Sequence, residues 1–203
     1  MSSPRVGPVA GVVLAAGAST RMGHNKLLLD IDGESVLRRA VQRAVAAGLE
    51  PVIVVLGHEA ERARAELTDI ACRVVVNPEH LQGQTTSLRA GLAAVPAGAP
   101  AVVVILADMP FVTSEMIAAV VERFRDGGAP LVISDYQGVT APPMLYSRPL
   151  FPEIEAMRGD RCGKQVVKAH QAEAAVLSWP VDALGDLDVP EDYQQALGRL
   201  AAR

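Results

Sequence analysis

The stretch Val9-Ala10-Gly11-Val12-Val13-Leu14-Ala15-Ala16-Gly17-Ala18-Ser19-Thr20-Arg21-Met22-Gly23-His24-Asn25-Lys26 decides the fold. Its opening, Val9 to Ala15, is a continuous apolar run rich in Val, which reads as a strand buried on both faces. Small and polar residues follow at once. Small residues let a phosphate approach the backbone, and successive amides can cradle it. Arg21 and Lys26 add fixed positive charge suited to a polyphosphate. The spacing is not that of a P-loop, because His24 follows Gly23 where Lys is needed. It is not the dinucleotide fingerprint either, since Gly17 and Gly23 do not fit Gly-x-Gly-x-x-Gly. Composition alone leaves open a plain strand-to-helix loop carrying two surface cations.

Outward from that stretch, strand-length apolar runs alternate with helical patterns. The spacing predicts a helix over Ser35 to Gly48, with Val36, Leu37, Ala40, Val41, Ala44 and Val45 on one face. Strands are predicted at Val52 to Leu56, Cys72 to Val76 and Val102 to Leu106, the last being the most apolar and so placed centrally. Helices are predicted at about Glu59 to Leu67, at Ser87 to Val95 and at Thr113 to Arg125. Such alternation implies a parallel sheet covered on both faces. The second half is less regular. Leu131 to Ser134 and Pro143 to Tyr146 read as strands around a turn at Gln137-Gly138. A short helix over Gly163 to His170, a strand over Ala174 to Trp179 and a helix over Pro190 to Ala201 follow. No internal repeat or linker interrupts the 203 residues, so one three-layer α/β/α Rossmann-like domain over 1–203 with a mostly parallel sheet is expected. Ligands of such sheets sit beyond the carboxyl ends of the strands. That singles out the loops 15–26, 77–87, 107–113, 135–143 and 180–190.

Composition narrows the function. Aromatic residues are 3% and the formal charge is −4, which argues against stacking platforms or basic patches for nucleic acid or for membrane surfaces. The two cysteines, Cys72 and Cys162, stand far apart, and no His-x-x-x-His pair suggests zinc. The longest apolar stretch, Ala101 to Ala107, is too short to span a bilayer. Met1 to Arg5 lacks the apolar core of a signal peptide, so the cytoplasm is the expected compartment.

The segment Leu14 to Lys26 resembles the signature of the MobA-like nucleotidyltransferases, Leu-Ala-(Ala or Gly)-Gly-x-Ser-x-Arg-Met-Gly-x-x-Lys, and meets every fixed position. The resemblance implies a nucleotide-diphospho-sugar transferase-like fold. It also implies that Leu14, Ala15, Ala16 and Gly17 bind nucleotide phosphates, with Arg21 and Lys26 assisting. Ala16, where guanylyltransferases typically carry a second Gly, points to the branch that uses CTP to extend the molybdenum cofactor. In Gln82-Gly83-Gln84-Thr85-Thr86-Ser87-Leu88 the resemblance suggests base and ribose contacts by Gly83 and Ser87, while a plain helix N-cap at Thr86 or Ser87 is the alternative. Asp108, in Leu106-Ala107-Asp108-Met109-Pro110, is either a turn residue before Pro110 or a Mg²⁺ ligand. That ion wants hard oxygens and only one or two carboxylates, and the resemblance favours it. Ala107 stands where the family has Gly. Asp188, in Gly185-Asp186-Leu187-Asp188-Val189-Pro190, is by resemblance the second metal ligand and otherwise a helix cap; Asp186 is an alternative.

On the acceptor side, Gly159-Asp160-Arg161-Cys162-Gly163-Lys164 resembles an acceptor-contacting segment, which implies roles for Asp160 and Lys164. Here Cys162 replaces a Gly and Lys164 an Arg, which keeps the charge but not the planar, bidentate fork. Cys162 reads as a reactive thiol or as a plain small residue. Pro142-Pro143 stands where relatives often show His-Pro. The resemblance implies in-line attack of an acceptor phosphate, molybdopterin, on the α-phosphorus of CTP with loss of pyrophosphate. Lys26, Arg21 and Asp108 would carry the chemistry through positioning and charge neutralisation. A molybdenum hydroxylase would be a possible partner. Two other readings share the scaffold. One is NADH- or NADPH-dependent reduction of a quinone-type compound, as assigned to nicotine blue oxidoreductase-type relatives. The other is an accessory protein that binds a finished cofactor without turnover.

Overall fold

In the computed structural model, which describes residues 7–19, 22–157, 159 and 162–201, the Val-rich run forms β1 (Ala10–Ala15), buried at every position. Two short strands, β2 (Asp30–Ile31) and β3 (Glu34–Ser35), pair antiparallel across Asp32-Gly33. There follow α1 (Val36–Ala46), β4 (Val52–Leu56), α2 (Ala60–Ala65), β5 (Arg73–Val76), α3 (Gln84–Ala93), β6 (Ala101–Leu106) and α4 (Ser114–Gly127). The second half contains β7 (Leu131–Tyr136), β8 (Val139–Ser147), α5 (Phe151–Ala156), α6 (Cys162–Ala169), β9 (Ala175–Ser178) and α7 (Pro190–Ala201). A sheet of seven strands runs in the order β5-β4-β1-β6-β8-β7-β9, so β6 is central, as its composition indicated.

β1 pairs in parallel with β4 on one side and β6 on the other. β8 runs antiparallel to both β6 and β7, and β9 is again parallel to β7. The sheet is therefore parallel except for β8. The reason lies in the two-residue turn Gln137-Gly138, where both residues have positive φ, since so short a connection joins only antiparallel neighbours. This corrects the expectation of a ligand loop at 135–143, most of which is strand. Pro142 and Pro143, which lack ladder donors, are accommodated where the register with β7 shifts between Val132 and Ser134. The Ser134 and Tyr136 hydroxyls donate to the Pro143 and Pro142 carbonyls, each at 2.7 Å.

Two apolar clusters, one on each face of the sheet, make the three layers. On one face Val9, Val13 and Ala15 meet α1, α4 and part of α2 and α7. On the other, Ala10, Val12 and Leu14 meet α3, α5 and α6. With so few aromatics, aliphatic side chains supply most of this burial, each worth about 1.5–3 kcal/mol when fully removed from water. The buried face of α1 is Val36, Leu37, Ala40, Val41 and Ala44, and the Ser35 hydroxyl accepts from the Arg38 amide at its start. α4 is capped likewise, by Thr113 accepting from the Met116 amide. α3 begins three residues before the expected Ser87, after Gly83, and has no side-chain cap, so neither Thr86 nor Ser87 is the N-cap. α5 is too short to show a helical period in the sequence. Among the described residues no helix is long and apolar enough to cross a membrane.

Candidate active site

The carboxyl ends of β1 and β6 open onto a cleft of about 320 Å³. Leu14, Ala15, Ala16 and Gly17 form one wall, Gly83 and Ser87 the opposite one, and Lys26 and Asp108 line it as well. Eight residues singled out from three separate loops thus share one cavity. The parallel pairing of β1 with β6 produces this, because the Ala107 amide continues the ladder by donating to the Leu14 carbonyl (3.1 Å). Asp108 therefore emerges beside the loop that follows β1.

Lys26 sits where that loop turns back. Asn25 caps a single 3₁₀ turn over Lys26–Leu28 by accepting from the Leu27 amide, and the Lys26 amide donates to the Ser19 hydroxyl at 3.2 Å. The Lys26 side chain is 11% exposed, with Nζ 2.6 Å from Asp108 Oδ2 and 3.0 Å from Asp188 Oδ1. Burial by itself would lower the pKa of this ammonium. The charges and hydrogen bonds of Asp108, then Asp188, outweigh that and raise it above the ordinary lysine value. The lysine is charged, and the carboxylate of Asp188 is turned to it.

Backbone contacts set the spacing of the two carboxylates. The Leu187 amide donates to the Asp108 carbonyl at 3.2 Å, with Leu187 itself buried. Asp192, in the first turn of α7, accepts from the Asp188 and Val189 amides at 2.9 and 3.0 Å. This is the backward half of a capping box. From the other side, Arg43 of α1 donates to the Pro110 and Val112 carbonyls at 2.6 and 2.8 Å and pins the loop that carries Asp108. Asp186 is solvent-exposed as a residue, yet its carboxyl is pushed up to about 6. Desolvation on its protein side leads, the charges of Asp108 and Asp188 add to it, and Lys26 opposes them.

The opposite wall holds residues that motif reading did not single out. Asn77 is buried, and its amide donates to the Thr86 and Ser87 hydroxyls at 2.9 and 3.0 Å. It fixes the first turn of α3 from within. His80 lines the cleft, with Nδ1 3.1 Å from the Asn77 carbonyl. Gly57, after β4, makes room for it: a Cβ there would lie 2.6 Å from the His80 ring and 2.8 Å from the Ala16 carbonyl. The available signal was the Asn-Pro pair at the end of β5, which marks a turn but not a site.

Of the remaining candidates, Arg21 and Asp160 lie outside the described residues, as does the Cys162 thiol. Lys164 is exposed on α6 and does not line the cleft. Among the described residues no three His, Cys, Asp or Glu side chains converge as a metal site. The Asp108–Asp188 pair nonetheless fits Mg²⁺. It presents two sets of hard oxygens to one point, a cationic group already stands there, and this ion takes few protein carboxylates.

Comparison with known proteins shows the family. The purine catabolism protein PucB of Bacillus subtilis (strain 168) is 30% identical over 195 residues, which cover 90% of this chain and 93% of that one. A probable molybdenum cofactor guanylyltransferase of Opitutus terrae is 32% identical over 130 residues, covering 64% and 62%. Among solved structures, Rv0371C of Mycobacterium tuberculosis H37Rv, in complex with manganese, superposes with a TM-score of 0.78 at 29% identity over 95% of this chain and 99% of its own. The sequence pattern of the MobA-like NTP transferase domain matches residues 11–175. The chain belongs to the MobA-like NTP transferase family, and its fold is that of the nucleotidyltransferases.

Proposed function

We propose that this protein transfers a cytidylyl group from CTP to a phosphorylated acceptor of the molybdopterin type and releases pyrophosphate, with Mg²⁺ held by Asp108 and Asp188. One observation carries the reading: a buried lysine and two carboxylates from distant loops meet at the mouth of a small-residue cleft. The cleft volume falls at the lower end of what nucleotide-sized ligands occupy. Ala15, Ala16 and Gly17 line the cleft with small residues, and a Cβ built on Gly17 would meet nothing within 4 Å, which suits backbone contacts to phosphates. An acceptor phosphate oxygen attacks the α-phosphorus of CTP, a new P–O bond forms, and the bond to the β-phosphate oxygen breaks. Lys26 neutralises charge that gathers on the phosphates as pyrophosphate leaves. Gly83 and Ser87 hold the base and ribose, and the Asn77 amide keeps the Ser87 hydroxyl in place. When bound, Mg²⁺ supplies charge neutralisation and orientation of phosphate oxygens. The manganese complex of Rv0371C supports a divalent cation here. The choice of CTP rests on Ala16, while the Opitutus relative is named for guanylyl transfer.

The test is pyrophosphate release from CTP, GTP, ATP or UTP with molybdopterin and Mg²⁺, alongside NADH and NADPH oxidation with a quinone. Release from CTP that disappears in Asp108→Asn is expected. Release from GTP alone would move the nucleotide assignment, and no release from any nucleotide would end the transferase reading.

A further inference from the structure

We propose that Lys26 is the resident counter-ion of the metal site, so that a divalent cation binds only by displacing it, and that the nucleotide phosphates are what draw it away. The inference rests on the nucleotidyl-transfer reading above and adds an order to it. Nζ lies 2.6 Å from Asp108 Oδ2 and 3.0 Å from Asp188 Oδ1, so it holds one oxygen of each carboxylate and stands between them where a metal would sit. Ammonium and divalent cation are like charges competing for the same oxygens, so one excludes the other. The competitor is well placed. Its side chain is 11% exposed, against 23% for Asp108 and 49% for Asp188, so solvent screens the lysine least of the three.

The geometry also provides the exit. Lys26 lines the cleft that its ammonium borders, together with Ala15, Ala16 and Gly17, so rotation of its side chain moves Nζ from the carboxylates toward the phosphate wall. Its backbone need not move, being held by the Ser19 hydroxyl and by the 3₁₀ turn that Asn25 caps. A bound polyphosphate offers the ammonium a second set of anionic oxygens and draws it off Asp108 and Asp188 together. Metal and nucleotide are then positively coupled through one side chain, and by linkage each raises the affinity of the other. A metal chelated only by the nucleotide would also show coupling. The separating quantity is therefore metal affinity without nucleotide.

Mn²⁺ binding to the nucleotide-free protein, followed by electron paramagnetic resonance, reads it directly. Lys26→Met is expected to bind Mn²⁺ at least about tenfold more tightly than wild type, and adding Asp108→Asn is expected to abolish the gain. Equal or weaker binding by Lys26→Met, or no binding by either protein, overturns the proposal. A second measurement needs no variant. Acetylation of Lys26 in the wild-type protein, read by mass spectrometry, should rise severalfold on adding Mn²⁺ but not on adding NaCl of equal ionic strength; unchanged labelling overturns the exchange. Pyrophosphate release, measured separately, reports on the transferase reading, so either idea can fail while the other stands.

Discussion

Gly91→Ala sets two forces of known sign against each other. In an exposed helix the change would stabilise by about 1 kcal/mol, because alanine is the better helix former. Gly91, however, is where α3 crosses the middle of the sheet. A Cβ there would lie 2.5 Å from Val12 Cγ1, 3.2 Å from Val12 Cγ2 and 3.1 Å from Val55 Cγ2. Non-bonded carbons prefer about 3.5–4.0 Å. Both valines are fully buried in central strands, and β-branching leaves them little rotamer freedom. The helix must move outward instead. Overpacking costs about 1–3 kcal/mol, and an overlap near 1 Å belongs in the upper part of that range. After the propensity gain, the expected net loss is about 1–2 kcal/mol, or about 2–8 °C in Tm for a chain of this size. Thermal and urea unfolding measure it. The same change in a Val12→Ala background should cost less, because two of the three crowded methyls, the nearest included, are gone and only Val55 Cγ2 at 3.1 Å remains, giving a coupling of about 1–2 kcal/mol in the double-mutant cycle. A Tm for Gly91→Ala at or above wild type, or a penalty undiminished in the Val12→Ala background, would refute the packing argument.

Asp192→Ala removes the acceptor of the Asp188 and Val189 amides. It should lower stability by about 1 kcal/mol, the usual worth of a cap, and raise the Mg²⁺ concentration needed for half-maximal pyrophosphate release; an unchanged metal requirement would show that Asp192 caps α7 without positioning Asp188. Asp186→Asn should raise the Tm of the metal-free protein at pH 7.5. The folded-state pKa of this carboxyl, about 6, lies above its unfolded value of 3.8, so its contribution is fully present below pH 3.8 and is lost as pH rises through 6. The advantage of the Asn variant should therefore fade between pH 6 and 4, and a Tm deficit at pH 7.5 would contradict the crowding of three carboxylates. Screening at this exposed residue keeps the effect small.

Apart from the hairpin of β2 and β3, whose two-residue strands are too short to show a period, the chain order of strands and helices through α4 was legible because a strand buried on both faces and a helix with one apolar stripe leave different periods in the sequence. The first loop was legible as a wall of the cleft for a related reason: its run of small residues is local in the chain. β8 was misjudged in length because prolines normally end a strand, and only its register against β7 shows where they are tolerated. The first turn of α3 was misplaced because its stabilising partner, Asn77, comes from the preceding strand end rather than from a cap.

From the sequence alone came the fold class, the central strand and the residue types at the mouth of the sheet. Tertiary structure decided which of those residues meet. Lys26 and Asp188 stand 162 positions apart, and their contact depends on the parallel pairing of β1 with β6 and on one backbone hydrogen bond between Leu187 and Asp108. Local patterns record what a segment needs from its own neighbours, whereas a charge pair across the fold depends on register and packing summed over the whole sheet.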